Sequence, residues 1–173
     1  MRVFLEPGSL YISDRPVRVS TILGSCIAVT MFSDRLKVGG ICHALLPRNT
    51  TADGLNGFRY VDSSIAYMLK QFDHMGVDRH EMDVKLLGGA NVLNNREDGR
   101  ASVGQRNIDT ALEIMKNENI RLSVSDIGGK QGRKIHFFTH TGKVLLARIR
   151  ALSADGAGRP QNARLRSGPS SGE

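Results

Sequence analysis

Apolar residues recur along the chain with two different periods. Residues 17–23 alternate, with Val17, Val19 and Leu23 on one side, and predict a strand. Residues 27–32 are an apolar, β-branched run, and Ser33-Asp34-Arg35 after them is turn chemistry. Residues 36–46 return as a second strand that stops at Pro47, and a polar loop follows to Gly57. Val61, Ile65, Met68, Leu69 and Phe72 then fall at helical spacing, with Asp62 in the first turn and Gly76 at the end. A short strand over 84–87 ends at Gly88-Gly89. Ile108, Ala111, Leu112 and Met115 mark a second helix from about Gln105 to Asn119. Residues 120–125 are strand-like, and 135–139 and 144–150 are strands joined by the polar turn His140-Thr141-Gly142-Lys143. Hairpins come in clusters that separate the helices. This predicts an α+β sandwich of mostly antiparallel sheet with two main helices packed on it, rather than a doubly wound sheet.

Residues 1–150 read as one domain. Residues 151–173 lose apolar periodicity and are rich in Gly, Pro, Ser and Arg, which predicts a disordered basic tail. The tail carries three arginines against Asp155 and Glu173, so most of the net charge of +7 belongs to the domain. A basic domain with 5% aromatics and no Trp is poorly supplied for stacking on bases, so an acidic protein partner is favoured over nucleic acid. No apolar run approaches the ~20 residues that span a bilayer, which argues against membrane insertion. Pro7-Gly8 interrupts any signal-peptide core, and a cytoplasmic location is the default expectation.

The two cysteines, Cys26 and Cys42, form no CxxC pair and lie near no second ligand cluster, so neither a zinc site nor any other cofactor is expected. Cys42 reads as a small buried hydrophobe. Cys26 differs, because Gly24-Ser25 precede it at the head of a strand and let the backbone turn sharply. His43 lies on the returning strand. An even-numbered turn pairing Phe32 with Lys37 would set Cys26 opposite His43 on one face, within reach of a thiol–imidazole contact. A nearby imidazolium would lower the thiol pKa, and the thiolate could attack a carboxamide carbon. Backbone N–H groups around Gly24, Ser25 and Ile27 are candidates for holding the oxyanion. Ser20 and Thr21 are the local hydroxyls that could orient the imidazole. His74, His80, His136 and His140 are alternative bases without a register relation to Cys26.

Two segments, Thr21-Ile-Leu-Gly-Ser-Cys26-Ile-Ala-Val and Val38-Gly-Gly-Ile-Cys-His43-Ala-Leu-Leu-Pro47, closely resemble the CheD chemoreceptor glutamine deamidases. The resemblance continues in Tyr60-Val-Asp, Leu87-Gly-Gly-Ala-Asn91, Val103-Gly-Gln-Arg-Asn107, Asp126-Ile-Gly-Gly-Lys-Gln-Gly-Arg133 and Thr141-Gly-Lys-Val144. It implies hydrolysis of receptor glutamines to glutamates, with release of ammonia. Cys26 carries over as nucleophile and His43 as base. The family's third residue is a threonine, which gap-free spacing places at Ser20, with Thr21 its neighbour. The resemblance also implies a fold like the catalytic domain of cytotoxic necrotizing factors, methyl-accepting chemotaxis receptors as protein substrate, and, for some members, a CheC-type phosphatase as partner. Methylatable receptor regions are helical and rich in glutamate, which suits a basic domain. Three other readings stand beside this one: a signalling adaptor without turnover, a thiol hydrolase or transglutaminase acting on another amide, and a nucleic-acid binder with steeply salt-dependent affinity.

Overall fold

The computed structural model describes residues 1–50, 57–91 and 101–149. The expected tail beyond residue 150 therefore lies outside the described residues. In chain order the elements are β1 (Arg2–Phe4), β2 (Leu10–Ser13), β3 (Arg18–Leu23), β4 (Ile27–Ser33), β5 (Val38–Ala44), α1 (Val61–His74), β6 (Met82–Gly88), α2 (Val103–Asn117), β7 (Leu122–Ile127), β8 (Gly132–Phe138) and β9 (Val144–Ile149). Short 3-10 turns at Gly57–Arg59 and Arg79–Glu81 precede α1 and β6.

The strands form two sheets. A four-stranded sheet has the order β1-β3-β8-β9, and a five-stranded sheet has the order β2-β5-β4-β6-β7. Among the strands of the described residues five pairings are antiparallel, and β1 with β3 and β6 with β7 run parallel. The α+β class and the antiparallel sandwich are as the sequence pattern predicts. The pattern missed β1 and β2, strands of three and four residues separated by Pro7-Gly8, too short for a period to register.

The five-stranded sheet is the middle layer. On one face Val29, Met31, Cys42 and Leu86 meet Val61, Ile65, Met68 and Phe72 of α1 and Ile108, Ala111 and Met115 of α2. On the other face Ala28, Ile41 and Leu87 meet Val19, Leu23, Ile135 and Phe137 of the four-stranded sheet. Every residue of β4 is buried, which explains its unbroken apolar run: a central strand covered on both faces has no polar side to alternate with. Full burial of a side chain such as Phe72 contributes about 1.5–3 kcal/mol. The helices end as their sequences dictate. Ser102 caps α2 by accepting from the Gln105 N–H, and Gly76 past the end of α1 takes a φ of 71°. At Gly39 the backbone after β8 comes so close that a Cβ would lie 2.4 Å from the Thr139 carbonyl oxygen. Among the described residues no helix is long and apolar enough to cross a membrane.

Candidate active site

Alternation along β3 sends neighbouring hydroxyls to opposite faces. Val19, Thr21 and Leu23 point between the sheets, and Thr21 is 1% exposed. Ser20 and Ile22 point outward. The sequence spacing ranked Ser20 first as the histidine partner, and the structure corrects this. Ser20 Oγ lies 2.7 Å from His136 Nδ1 on the outer face, whereas Thr21 Oγ1 lies 2.7 Å from His43 Nδ1 between the sheets.

The β4–β5 hairpin differs from expectation by one step. Ser33 continues the strand and pairs with Val38, so the turn is Asp34-Arg35-Leu36-Lys37, with Lys37 at a φ of 52°. Ser33 Oγ accepts from the Leu36 N–H and donates to Glu81, which holds the turn in this register. His43 consequently pairs with Ala28 rather than with Cys26, and Cys26 sits just before the first paired residue, Ile27. The parity is even, so Cys26, Ala28 and His43 share the face turned toward the four-stranded sheet. Cys26 and His43 are diagonal neighbours on that face rather than directly opposed, and no hydrogen bond joins them.

His43 is 2% exposed. The Thr21 hydroxyl donates its one proton to the Leu5 carbonyl at 2.8 Å, so toward His43 Nδ1 it can only accept. This fixes the tautomer: Nδ1 carries the proton and Nε2 presents a lone pair. Nε2 is buried and has no hydrogen-bond partner among the described residues. Burial lowers the His43 pKa below the usual histidine value, opposed in part by the Leu5 carbonyl beside the ring. Burial likewise raises the Cys26 thiol, opposed in part by its own backbone N–H. Both shifts act in the same sense, toward the uncharged thiol and the neutral imidazole.

The turn carrying Cys26 is held by its carbonyls. The Gly24 oxygen accepts from Ala90 N–H at 2.8 Å, the Ser25 oxygen from Asn107 Nδ2 at 3.1 Å, and the Cys26 oxygen from Gly89 N–H at 2.8 Å. Gly88 must be glycine here: its φ is 108°, and a Cβ would lie 2.4 Å from the Cys26 oxygen. Ile27 opens β4, paired with Ala44 on one side and Gly88 on the other. Beyond these, Asn91 N–H donates to the Gly129 carbonyl at 2.8 Å. The loop containing Gly129 is closed by the buried Arg133, whose guanidinium reaches Asp126 at 2.7 Å and the Gly128 carbonyl at 2.8 Å.

Cys42 points the other way, into the core against the helices, and burial pushes its thiol up to about 11. His74 ends α1, His80 lies in the 3-10 turn before β6, and His140 lies in the β8–β9 turn. None of these elements carries Cys26. Among the described residues no group of His, Cys, Asp and Glu gathers as a metal site would require. Residue-by-residue reasoning missed Asn107 and the Gly88–Ala90 backbone. The glycine pair after a predicted strand was the available signal.

Residues 45–148 match the family model described as CheD chemotactic sensory transduction. A protein of Geobacter sulfurreducens named probable chemoreceptor glutamine deamidase CheD 2 is 43% identical over 153 residues, covering 88% of this chain and 93% of its own. The probable chemoreceptor glutamine deamidase CheD of Maridesulfovibrio salexigens is 40% identical, covering 86% of this chain and 92% of its own. That of Thermococcus kodakarensis is 33% identical, covering 86% and 94%. Among solved structures, the Bacillus licheniformis hypothetical protein YfiH superposes with a TM-score of 0.41 at 14% identity, over 68% of this chain and 49% of its own. The family model begins two residues past His43, but a match over 88% of a 173-residue chain cannot omit residues 26–43. The Cys26–His43 hairpin thus lies inside the matched region, and the chain belongs to the CheD family.

Proposed function

We propose that this protein hydrolyses the side-chain carboxamide of glutamines on chemotaxis receptors, giving glutamate and ammonia, with Cys26 as nucleophile, His43 as general base and acid, and Thr21 as the residue that orients His43. The observation that carries this reading is the Leu5–Thr21–His43 chain of hydrogen bonds, because it leaves Nε2 as the basic atom on the face shared with Cys26.

In this mechanism the thiol proton passes to Nε2 as sulfur attacks the carboxamide carbon. Backbone N–H groups of the Cys26 turn stabilise the oxyanion. The imidazolium returns the proton to nitrogen, the C–N bond breaks, and ammonia leaves a thioester on Cys26. Water, deprotonated by Nε2, attacks the thioester carbon. The C–S bond breaks, the proton returns to sulfur, and glutamate is released. Thr21 accepts from Nδ1–H throughout and keeps the ring in one tautomer. The chemistry needs a reduced Cys26, which suits a cytoplasmic setting. The names of the relatives support the receptor as substrate. The CheC-type partner is carried by the resemblance alone.

Incubation with a receptor cytoplasmic fragment, followed by peptide mass spectrometry, tests the proposal. Discrete glutamine-to-glutamate conversions by the wild type, lost in Cys26→Ala, are expected. Conversion by Cys26→Ala near the wild-type rate would overturn it, and an adaptor without turnover would give no conversion with either protein.

A further inference from the structure

Among the fully buried polar side chains that the mechanism does not use, one is bonded to the Cys26 turn and keeps an unpaired acceptor. Asn107, on α2, is 0% exposed. Its Nδ2 donates to two carbonyls, Ser25 at 3.1 Å and Leu45 at 2.9 Å, while its Oδ1 is buried with no partner among the described residues. An orphaned acceptor is a cost that an apolar residue of the same shape would not carry. Packing alone therefore does not account for an amide here. Because both partners are carbonyls, the amide has only one sensible orientation, with the nitrogen toward the turn.

The Ser25 carbonyl shares a peptide plane with the Cys26 N–H. No peptide bond among the described residues is cis, so in that plane the C=O and N–H point in opposite directions. Drawing the Ser25 oxygen inward onto Asn107 turns the Cys26 N–H outward, away from α2. No oxygen of a described residue accepts from that N–H. Of the three donors that hold the Cys26 turn, Asn107 is the only side chain; the other two are the backbone N–H groups of Gly89 and Ala90. The second bond of Nδ2, to Leu45, ties the residue two positions past His43 to the same anchor. The anchor itself is firm, because α2 packs so closely on the Gly89 backbone that a Cβ at Gly104 would lie 2.6 Å from the Gly89 oxygen.

We propose that Asn107 is a positioning residue of the deamidation, aiming the Cys26 N–H at the developing oxyanion through its bond to the Ser25 carbonyl. The inference rests on the function proposed above. The substrate's carboxamide oxygen gains negative charge as sulfur attacks, and a pre-aimed backbone N–H stabilises that charge without reorganising.

The test separates oxyanion stabilisation from general damage to the site. Alkylation of Cys26 by iodoacetamide displaces iodide at a saturated carbon and forms no oxyanion, whereas deamidation does. In Asn107→Ala, assayed well below its melting temperature, kcat on the receptor fragment should fall roughly 10- to 100-fold, with KM within about threefold, less than the roughly 100- to 1,000-fold of outright loss of an oxyanion donor because the Cys26 N–H is mis-aimed rather than removed. The rate and pH profile of Cys26 alkylation should stay close to wild type. Asn107→Ser keeps one donor for the Ser25 carbonyl and should recover part of kcat; it also serves if the alanine variant does not fold. Unchanged kcat in a folded variant, or parallel loss of kcat and alkylation, would overturn the inference while leaving the function intact. An inactive wild type, or an active Cys26→Ala, would instead overturn the function and the inference with it.

Discussion

Thr21 Oγ1 lies 2.7 Å from His43 Nδ1 and donates its own hydrogen bond to the Leu5 carbonyl, so a threonine of one sheet sets the tautomer of a histidine on the other. Thr21→Val removes the acceptor and leaves Nδ1–H unpaired beside a methyl group. Turnover should drop about 10- to 100-fold, the usual scale for loss of a residue that orients a functional histidine. Thr21→Ser should retain most activity. Ser20→Ala should stay near wild type, because Ser20 faces His136 on the outer surface. Steady-state rates on a receptor fragment decide it. A larger loss from Ser20→Ala than from Thr21→Val would return the role to Ser20.

The pH dependence follows from the two burial shifts. A lowered His43 pKa keeps Nε2 unprotonated further into acid than an ordinary histidine. A raised Cys26 pKa keeps the proton on sulfur further into base than an ordinary thiol. If turnover starts from thiol and neutral imidazole, kcat/KM should hold a broad plateau. Its acid limb should fall below about 6.5 and its alkaline limb above about 8.5, the ordinary values of the two groups. An acid limb at or above the ordinary histidine value would show that burial does not lower the His43 pKa in the free enzyme.

The two cysteines should separate cleanly. Cys26→Ala should be folded and inactive. Cys42→Ala should remain active but lose about 1–2 kcal/mol, because it leaves a small void in the core against the helices. With one alkylating reagent, Cys26 should react in the native protein and Cys42 only on unfolding, since burial both shields Cys42 and holds its thiol at about 11. Peptide mapping after timed alkylation reads both sites at once.

Gly88→Ala should damage the site without replacing any residue of the proposed chemistry. An alanine must either leave the φ of 108° or press its Cβ on the Cys26 carbonyl oxygen. Strain of about 1–3 kcal/mol is expected, together with a marked loss of turnover as the Cys26 turn shifts. Denaturant melts alongside rates would show both. A fully active, fully stable variant would mean that this turn tolerates movement.

Much of this was legible in the sequence, for identifiable reasons. The helices announced themselves through periodic apolar positions such as Val61, Ile65 and Phe72, and the Cys26–His43 hairpin through its apolar run and turn residues. Neither the parity nor the register of that hairpin was readable: a three-residue loop would have set Cys26 opposite Cys42 and turned His43 to the other face. A side-chain bond from Ser33 to Glu81, far away in sequence, helps lengthen the strand by one residue. The choice between Ser20 and Thr21 was within reach of the apolar pattern: Thr21 shares its parity with Val17, Val19 and Leu23, the side that packs inward, whereas gap-free spacing to the family motif pointed to Ser20. Asn107 was least visible, since its partners are backbone carbonyls with no sequence signature.

Thr21 comes from the four-stranded sheet, His43 from the five-stranded sheet, and Cys26 from the turn that links them. Activity is thus a gauge of the gap between two layers. Warming, pressure or mild urea that lets the sandwich swell by even an ångström would part Thr21 from His43 while every strand kept its own ladder. The enzyme should then fall silent before circular dichroism registers any loss of structure, and turnover would report on tertiary tightness rather than on folding as a whole.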